Sequence, residues 1–210
     1  MGLDELYSAI VKGESKVVPG LVKSQLDAGT PPETILKEGM IRAMEFVGTQ
    51  FEIGEAFVPE MLIAAHAMRA GLGVLKPLLV QAGTATAGKV AIGTVQGDLH
   101  DIGKNLVGMM LEGAGFEVVD LGVDVPAVKF VEAANDQVDI IAMSALLTTT
   151  MPHMANVIQA LNEAGVRGKV KVMVGGAPLT QAYAAQIGAD GYADSAGSAA
   201  RVAKRLLGVS

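Results

Sequence analysis

The spacing of apolar residues changes near residue 82 of the chain. Before that point, apolar side chains recur at helical intervals, as at Ile35, Met40, Met44 and Val47, and Gly or Pro residues interrupt the pattern. The pattern predicts helices over residues 3–12, 15–28, 31–53 and 58–77. Because short segments connect them, the four helices are expected to form an antiparallel bundle.

Beyond residue 88, short apolar runs alternate with amphipathic segments. The apolar runs predict strands over residues 90–95, 117–121, 139–145, 170–174 and 191–193. The amphipathic segments predict helices over residues 102–113, 127–134, 154–164, 180–187 and 198–207. This alternation is typical of an α/β fold, and five strands with helical crossovers favour a flavodoxin-like (Rossmann-like) parallel sheet of order 2-1-3-4-5.

Residues 81–88 separate the two patterns. They are small and uncharged, and they show no helical periodicity. We therefore expect two domains, a helical bundle over residues 1–82 and an α/β domain over residues 88–210. The segment between them is expected to act as a hinge.

A sheet of this order has a crevice between its first and third strands, where ligands bind. Asp98 and His100 follow the first predicted strand, and Ser144 and Thr148 follow the third. A Gly-Gly pair at residues 175–176 follows the fourth. Polar and Gly residues thus gather where the topology predicts a binding site.

The composition excludes several classes of site and partner. The chain contains no Cys, which excludes disulfides, thiolate metal sites, iron–sulfur clusters and cysteine nucleophiles. Its net charge of −6 disfavours a nucleic-acid surface, since the Lys and Arg residues are scattered. The first residues are acidic rather than basic, and Gly, Pro or charge breaks every apolar stretch short of the roughly 18 residues of a membrane span. We expect a cytoplasmic protein without a membrane segment.

The loop from Gly97 to Gly103 carries the residues best suited to chemistry. A His can coordinate a metal through one ring nitrogen while a carboxylate, here Asp98, holds the other. From the residue types alone, two alternatives stay open: a loop that only caps the next helix, and a hydrolase in which Asp98 and His100 form a base. The chain lacks a Gly-x-Ser-x-Gly elbow, which disfavours the hydrolase. A phosphate loop is disfavoured because Asn105 stands where a magnesium-binding Ser or Thr would be.

Several segments together resemble a known family. Residues 98–103 are similar to the Asp-x-His-x-x-Gly signature of cobalamin-binding domains, as in methionine synthase and the corrinoid proteins of methyltransferase systems. Residues 144–150 resemble the Ser-x-Leu-x-Thr segment of that family, and residues 174–177 resemble its Gly-Gly loop, in the same order. Residues 51–61 are similar to the motif of the helical cap that precedes this domain in the family. The resemblance therefore covers almost the whole chain.

The resemblance implies a cobamide that is bound base-off and His-on. His100 would be the axial ligand of cobalt, Asp98 would orient it, and Thr150 would extend the pair, where methionine synthase has a Ser. Small residues would let the nucleotide tail approach the backbone, and the bundle would cap the upper face of the corrin. The residues assigned in this way to cobamide binding are Gly97, Asp98, Leu99, His100, Asp101, Ile102, Gly103, Ser144, Leu146, Thr148, Thr150, Gly175, Gly176 and Ala196 in the α/β domain, with Glu38, Phe51, Val58 and Met61 in the bundle.

The function implied by the resemblance is that of a corrinoid carrier protein. It would take a methyl group from a substrate:corrinoid methyltransferase and deliver it to a methylcorrinoid:acceptor methyltransferase that uses tetrahydrofolate or a thiol, with a reductive activase as a further partner. The predicted elements include no substrate barrel, so we expect the chain to be non-catalytic alone. Two alternatives share the motif: the cobamide-binding subunit of an adenosylcobamide mutase, which would pair with a barrel, and a B12-dependent sensor, which would carry an output module.

Overall fold

The computed structural model describes residues 2–81 and 86–209. These residues divide into two compact units. One contains the chain up to Thr86 together with Glu112–Gly115, and the other contains Ala87–Leu111 and the chain from Phe116 onward. The predicted hinge includes residues 82–85, which lie outside the described residues.

The first unit is helical, as its sequence pattern predicts. Its elements are α1 (Leu3–Val11), α2 (Val18–Asp27), α3 (Pro32–Thr34), a π-helix (Ile35–Ile41), α4 (Arg42–Glu52) and α5 (Val58–Gln81). The π-helix joins α3 to α4 without a break, so the three pieces together occupy the span of the third predicted helix. Buried Leu6, Ile10, Met44 and Met68 come from several of these helices, which explains the helical spacing of the apolar residues.

Helix α5 is longer than the sequence predicts. The expected end at Pro77 is wrong, because Pro77 lies inside the helix. A Pro removes one backbone N–H donor and leaves the hydrogen bonds of the more distant turns unchanged, so its effect on the helix is local. From the sequence, we expect no apolar stretch as long as a membrane span, because Gly, Pro or charged residues such as Arg69 interrupt each of them. Among the described helices, Val58–Leu79 is long and apolar enough to cross a membrane by length and composition, with a mean hydropathy of 1.3.

The burial of α5 identifies it as a helix of the bundle core. Met61, Ala64, Met68 and Leu75 are buried at helical spacing, and the helix packs on α2 and α4. Glu60, near its first turn, is charged and exposed. The exposed positions of α5 carry Glu60, Arg69 and Lys76 but also Leu62 and Ile63, so the helix has one buried face and a mixed outer face.

The second unit is a five-stranded parallel sheet with helical crossovers. Its strands are β1 (Lys89–Val95), β2 (Glu117–Val125), β3 (Ile140–Ser144), β4 (Lys171–Gly175) and β5 (Gly191–Ala193). The order is β2-β1-β3-β4-β5, and every neighbouring pair is parallel, which confirms the predicted flavodoxin-like topology. The helices are α6 (Ile102–Gly113), α7 (Ala127–Asn135), α8 (Pro152–Glu163), α9 (Gln181–Ile187) and α10 (Ala196–Leu207).

The core of this unit fixes the position of the loops above it. Phe130 of α7 and Val157 of α8 pack against the sheet, where Ala91, Ile141 and Val172 are completely buried. Burial on both faces explains why these strands appear in the sequence as continuous apolar runs. β1 and β3 are in register up to Thr94 and Ser144, so the loops that follow them leave the sheet side by side.

Strand β2 continues four residues beyond its predicted end at Leu121. Its pairing with β1 is irregular, with register shifts between Ile92 and Gly93 and between Gly93 and Val95. Asp124 lies in this irregular part and has a φ of +52°, in the left-handed region. The polar residues that suggest a loop in the sequence therefore belong to the end of a strand.

Candidate functional site

Asp98 joins the loop after β1 to the loop after β3. Its side chain is completely buried. One carboxylate oxygen, Oδ1, accepts the backbone N–H of His100 at 3.1 Å and lies 2.7 Å from Nδ1 of the His100 ring. The other, Oδ2, accepts the backbone N–H of Leu146 at 2.7 Å, that of Leu147 at 3.3 Å and the hydroxyl of Thr150 at 2.8 Å. The two loops are thus held by one carboxylate, although Asp98 and Thr150 are 52 residues apart.

The surroundings of Asp98 keep it ionised. Burial by itself would raise the pKa of this carboxyl, but the backbone N–H of Leu146, the backbone and ring of His100 and the hydroxyl of Thr150 donate to it and hold the pKa well below its usual value. An ionised carboxylate only accepts hydrogen bonds, so Nδ1 of His100 must carry the proton that lies between them. Nε2 of a neutral His100 is then the ring nitrogen with a free lone pair.

His100 presents that second nitrogen at the surface of the unit. Its side chain is 51% exposed, and within the described residues Nε2 has no hydrogen-bond partner. The buried hydroxyl of Thr94 donates to the His100 carbonyl at 2.9 Å and fixes the loop backbone from below. The geometry is that of a metal-ligating His whose other ring nitrogen is held by a carboxylate.

Exposed apolar side chains surround His100 at the carboxyl edge of the sheet. Leu99 and Ile102 are 72% and 73% exposed, and Leu146 and Leu147 after β3 are more than 40% exposed. Large apolar residues exposed together in this way indicate a surface that a ligand or partner covers. Here the surface would suit a broad apolar face lying over the imidazole.

The set of metal donors at this site is small. Within residues 2–81 and 86–209, no three His, Cys, Asp or Glu side chains form a group that could hold a metal ion. His100 supplies one nitrogen. A macrocycle with its own equatorial nitrogens needs only such an axial ligand from the protein, so the residues present fit a corrin better than a bare ion.

The glycines of the predicted site differ in what surrounds them. A Cβ added to Gly103 would meet no atom within 4 Å, so the space beside it is open. Gly176 has a φ of +137°, and a Cβ there would overlap the backbone carbonyl of Ala145. Gly175 would approach the Ala193 carbonyl at 3.1 Å. The packing of the protein backbone itself therefore requires Gly176, a reason that our sequence analysis did not include.

The remaining predicted residues of this unit lie around the same edge. Ser144 is half-buried at the end of β3, and Thr148 is exposed in the loop that follows. Gly97 turns the chain with a φ of +79°. Asp101 is exposed and accepts a hydrogen bond from Asn105, while Ala196 is the first residue of α10.

Four predicted residues lie in the helical unit, apart from this cluster in the chain. Glu38 is exposed in the π-helix, Phe51 and Val58 are half-buried, and Met61 is completely buried. Their contact with a cofactor stays a prediction. The segment also contains Phe57, which is 65% exposed and which we did not single out.

Sequence analysis missed four polar residues that contact the His100 loop or the helix after it. They are Lys104, Asn105, Asp120 and Asp124. The signal that could have found the two aspartates is the alternation of Asp and Gly at residues 120–124, across the end of the predicted strand 117–121.

Comparisons with known proteins identify B12-binding relatives of this chain. A family model described as B12 binding domain matches residues 88–201, and a second model with the same description matches residues 3–76. Dimethylamine corrinoid protein 1 of Methanosarcina acetivorans is 46% identical over 210 residues, which cover 98% of this chain and 97% of that protein. Trimethylamine corrinoid protein 2 of the same organism is 47% identical over 202 residues, covering 95% of this chain and 93% of that protein.

Solved structures are similar over the whole chain. A chain of the methanol:cobalamin methyltransferase complex MtaBC from Methanosarcina barkeri superposes with a TM-score of 0.84 at 30% identity, covering 98% of this chain and 79% of that one. A cobalamin-binding protein from Desulfitobacterium hafniense superposes with a TM-score of 0.80 at 28% identity, covering 98% of both chains.

Proposed function

The chain belongs to the B12-binding family of corrinoid proteins found in methyltransferase systems, and we propose that it carries a methyl group on a cobamide between two methyltransferases. The cobamide supplies a cobalt centre that accepts and releases the methyl group. The chain supplies the axial ligand and the apolar surface, and its fold holds the two in place. It carries out neither half of the transfer alone.

One observation carries the proposal: buried Asp98 holds Nδ1 of His100 at 2.7 Å, and Nε2 of this half-exposed side chain has no hydrogen-bond partner among the described residues. We infer that Nε2 is the axial ligand of cobalt in a base-off, His-on complex. Asp98 fixes the tautomer and the ring orientation, and Thr150 fixes Asp98 by donating to Oδ2.

The other predicted residues have roles around this centre. Leu99, Ile102 and Leu146 support the apolar face of the corrin, and the open space beside Gly103 admits the nucleotide tail. Ser144 and Thr148 offer hydroxyl groups to the tail. In the helical unit, we assign Phe51, Val58 and Met61 to the upper face of the corrin, where they would exclude water from the methyl group, and Glu38 to a corrin side chain.

The names of the relatives support the choice of partners. Relatives at 46% and 47% identity are named for dimethylamine and trimethylamine, so methylamine:corrinoid methyltransferases are the first donor enzymes to test. The MtaBC structure supports a complex with a methyltransferase. We further propose an acceptor methyltransferase that uses tetrahydrofolate or a thiol, a reductive activase and a cytoplasmic location.

The visible spectrum of the protein reconstituted with methylcobalamin tests the proposal. We expect the wild type to bind with a His-on spectrum and His100→Ala to give the spectrum of a cobamide without an imidazole ligand. His66→Ala is the matched control, because His66 is an exposed His on α5 in the other unit and should leave the spectrum unchanged. Failure of the wild type to bind any corrinoid would overturn the cofactor, and an unchanged His100→Ala spectrum would overturn the axial role.

Transfer of a labelled methyl group tests the carrier role. The reconstituted protein should accept methyl label from a methylamine when a methylamine:corrinoid methyltransferase is added, and should gain none without that enzyme. Label that never reaches the cobamide with any methylamine, methanol or methoxyarene methyltransferase would contradict a carrier function.

A further inference from the structure

Lys104 is a buried cation in the first turns of α6. Its side chain is only 2% exposed, and its Nζ contacts both carboxylate oxygens of Asp120, at 2.7 and 2.6 Å, and Oδ1 of Asn105 at 2.7 Å. The three N–H groups of the ammonium thus have three acceptors. A buried charge costs several kcal/mol in desolvation, and an apolar residue of similar size is often at least as stabilising. The stability of the fold alone therefore gives little reason for a Lys here.

The partners of Lys104 connect it to the His100 loop. Asn105 accepts from Lys104 with its side-chain oxygen and donates with its side-chain nitrogen to Oδ2 of Asp101 at 3.1 Å. The backbone N–H of Asn105 also donates to the Asp101 carbonyl at 2.7 Å. Asp101 directly follows His100 in the chain, so a continuous set of hydrogen bonds runs from Asp120 on β2 to the residue next to His100.

The same strand also holds the beginning of the loop. Oδ1 of Asp124 accepts the backbone N–H of Gly97 at 2.7 Å, and the backbone N–H of Asp124 donates to the Asp98 carbonyl at 3.0 Å. Because Asp124 has a left-handed backbone, its side chain and its backbone N–H both form hydrogen bonds with the same loop. β2 thus contacts the loop before and after His100, although none of its residues was assigned to the cofactor.

We propose that Lys104 is a positioning residue for His100: clamped by Asp120 and joined to Asp101 through Asn105, it fixes the end of the loop so that Nε2 stays in place for its ligand. Asp124 fixes the other end. The effect on the loop is independent of any ligand, and the effect on cobalt coordination rests on the proposed function.

The first test uses the protein without cofactor. Lys104→Met keeps the length and apolar stem of the side chain and removes the ammonium, and Asp120 is half-exposed, so water can solvate the carboxylate left behind. We expect amide hydrogen exchange at His100, measured by NMR, to quicken about tenfold or more, with the amide of Ala142 in the middle of β3 as the internal reference. Unchanged exchange at His100 in a folded Lys104→Met protein would overturn the proposal.

A matched control separates positioning from general loss of stability. Arg167 and Asp190 form a partly buried ion pair at 2.9 Å near the amino ends of β4 and β5, the edge of the sheet opposite to His100. Arg167→Met should lower the unfolding free energy without changing exchange at His100. If both variants quicken His100 exchange equally, Lys104 acts only through global stability, and the proposal is wrong.

A second variant keeps the test decisive if Lys104→Met does not fold. Asn105→Leu leaves the Lys104–Asp120 pair intact and removes the connection to Asp101, so it should quicken exchange at His100 in the same direction. An Asn105→Leu protein with wild-type exchange would show that the connection does not hold the loop.

Reconstitution with methylcobalamin measures how the loss of the Lys104 ammonium affects cofactor binding. Lys104→Met should weaken methylcobalamin binding by about 10- to 100-fold, the usual range for residues that orient a metal ligand, and should show a larger His-off fraction in the visible spectrum. Arg167→Met should show neither effect. If the wild type binds no cobamide, the proposed function is refuted, and the exchange measurement still decides whether Lys104 positions the loop. If Lys104→Met binds cobamide with wild-type affinity and a wild-type spectrum, Lys104 does not position His100 for cobalt.

Discussion

Replacing Asp98 by Asn is the sharpest perturbation of the network under His100. The two side chains have the same shape, but the amide offers one acceptor oxygen and one donor NH2. Both carboxylate oxygens of Asp98 face donors only: the backbone and ring of His100 on Oδ1, and Leu146, Leu147 and Thr150 on Oδ2. Whichever way the amide turns, its NH2 group faces at least one backbone N–H, that of His100 on one side or those of Leu146 and Leu147 on the other.

The cost of Asp98→Asn can be worked out for each orientation. With NH2 toward β3, the backbone N–H groups of Leu146 and Leu147 lose their acceptor. With NH2 toward His100, the backbone N–H of His100 loses its acceptor, and the ring must move its proton to Nε2, which removes the lone pair that would bind cobalt. A hydrogen bond to a charged group contributes about 1.5–3 kcal/mol, and neighbouring losses are not additive, so we expect about 2–4 kcal/mol of lost stability. For a chain of this size, that lowers the Tm by about 4–16 °C.

Urea unfolding of the protein without cofactor, followed by circular dichroism at pH 7, measures this loss. Asp190→Asn is the matched control: Asp190 also accepts a backbone N–H, from Val172 at 2.7 Å, but it is partly exposed and lies at the opposite edge of the sheet. We expect it to cost less than Asp98→Asn and to leave cobamide binding unchanged. An Asp98→Asn protein that unfolds within about 0.5 kcal/mol of the wild type would refute the reasoning, because this is the range of a surface substitution.

The difference in unfolding free energy between wild type and Asp98→Asn should depend on pH in a definite direction. The folded protein holds the pKa of Asp98 below its usual value, so ionisation of Asp98 stabilises the fold at every pH above the unfolded pKa of about 4. That contribution is lost as the pH falls toward the folded pKa. The difference in unfolding free energy between wild type and Asp98→Asn should shrink below about pH 4. A difference that grows in acid would contradict the assigned direction.

Three further predictions concern other positions of this unit. Thr150→Val removes the hydroxyl that donates to Asp98 and should lower the unfolding free energy by about 1.5–3 kcal/mol. Thr150→Ser keeps the hydroxyl and loses one buried methyl group, which should lower it by about 1 kcal/mol. Urea unfolding measures both losses, and a larger loss for Ser than for Val would contradict the prediction. Gly176→Ala forces a Cβ into the Ala145 carbonyl at a φ of +137° and should cost more than about 3 kcal/mol or prevent folding. Gly103→Ala, with open space around its Cβ, should leave urea unfolding unchanged or stabilise the protein by up to about 1 kcal/mol, while weakening cobamide binding in a titration; unchanged binding would remove Gly103 from the site.

The elements predicted correctly are those whose burial determines their composition. β1, β3 and β4 are buried on both faces and appear as apolar runs, so their ends were predicted to within one or two residues. The parallel order also predicted that the loop of Asp98 lies beside the loop of Ser144 and Thr148, since loops after neighbouring parallel strands meet. The pairing of Asp98 with Thr150 followed from the family resemblance.

The elements predicted poorly are those in which long-range contacts override local signals. The π-helix at Ile35–Ile41 has the same apolar spacing as an α-helix, so the pattern could not distinguish them. β2 continues beyond its predicted end at Leu121 through Gly122 and Asp124, residue types that are typical of turns, because Asp124 is held in the strand end by its bonds to the His100 loop. Lys104 gave no signal as a single charge on a helix, because its burial depends on Asp120, 16 residues away.

The irregular end of β2 also limits how other proteins can attach. β2 and β5 are the two edges of the sheet, and an open edge can recruit a strand from another chain. β5 has only three residues, and β2 twists out of regular register where Gly122 and Asp124 adopt left-handed backbone. Neither edge offers a long, flat template for intermolecular β-pairing. A methyltransferase that binds this chain is therefore expected to recognise side chains and helices, and to leave the sheet at five strands.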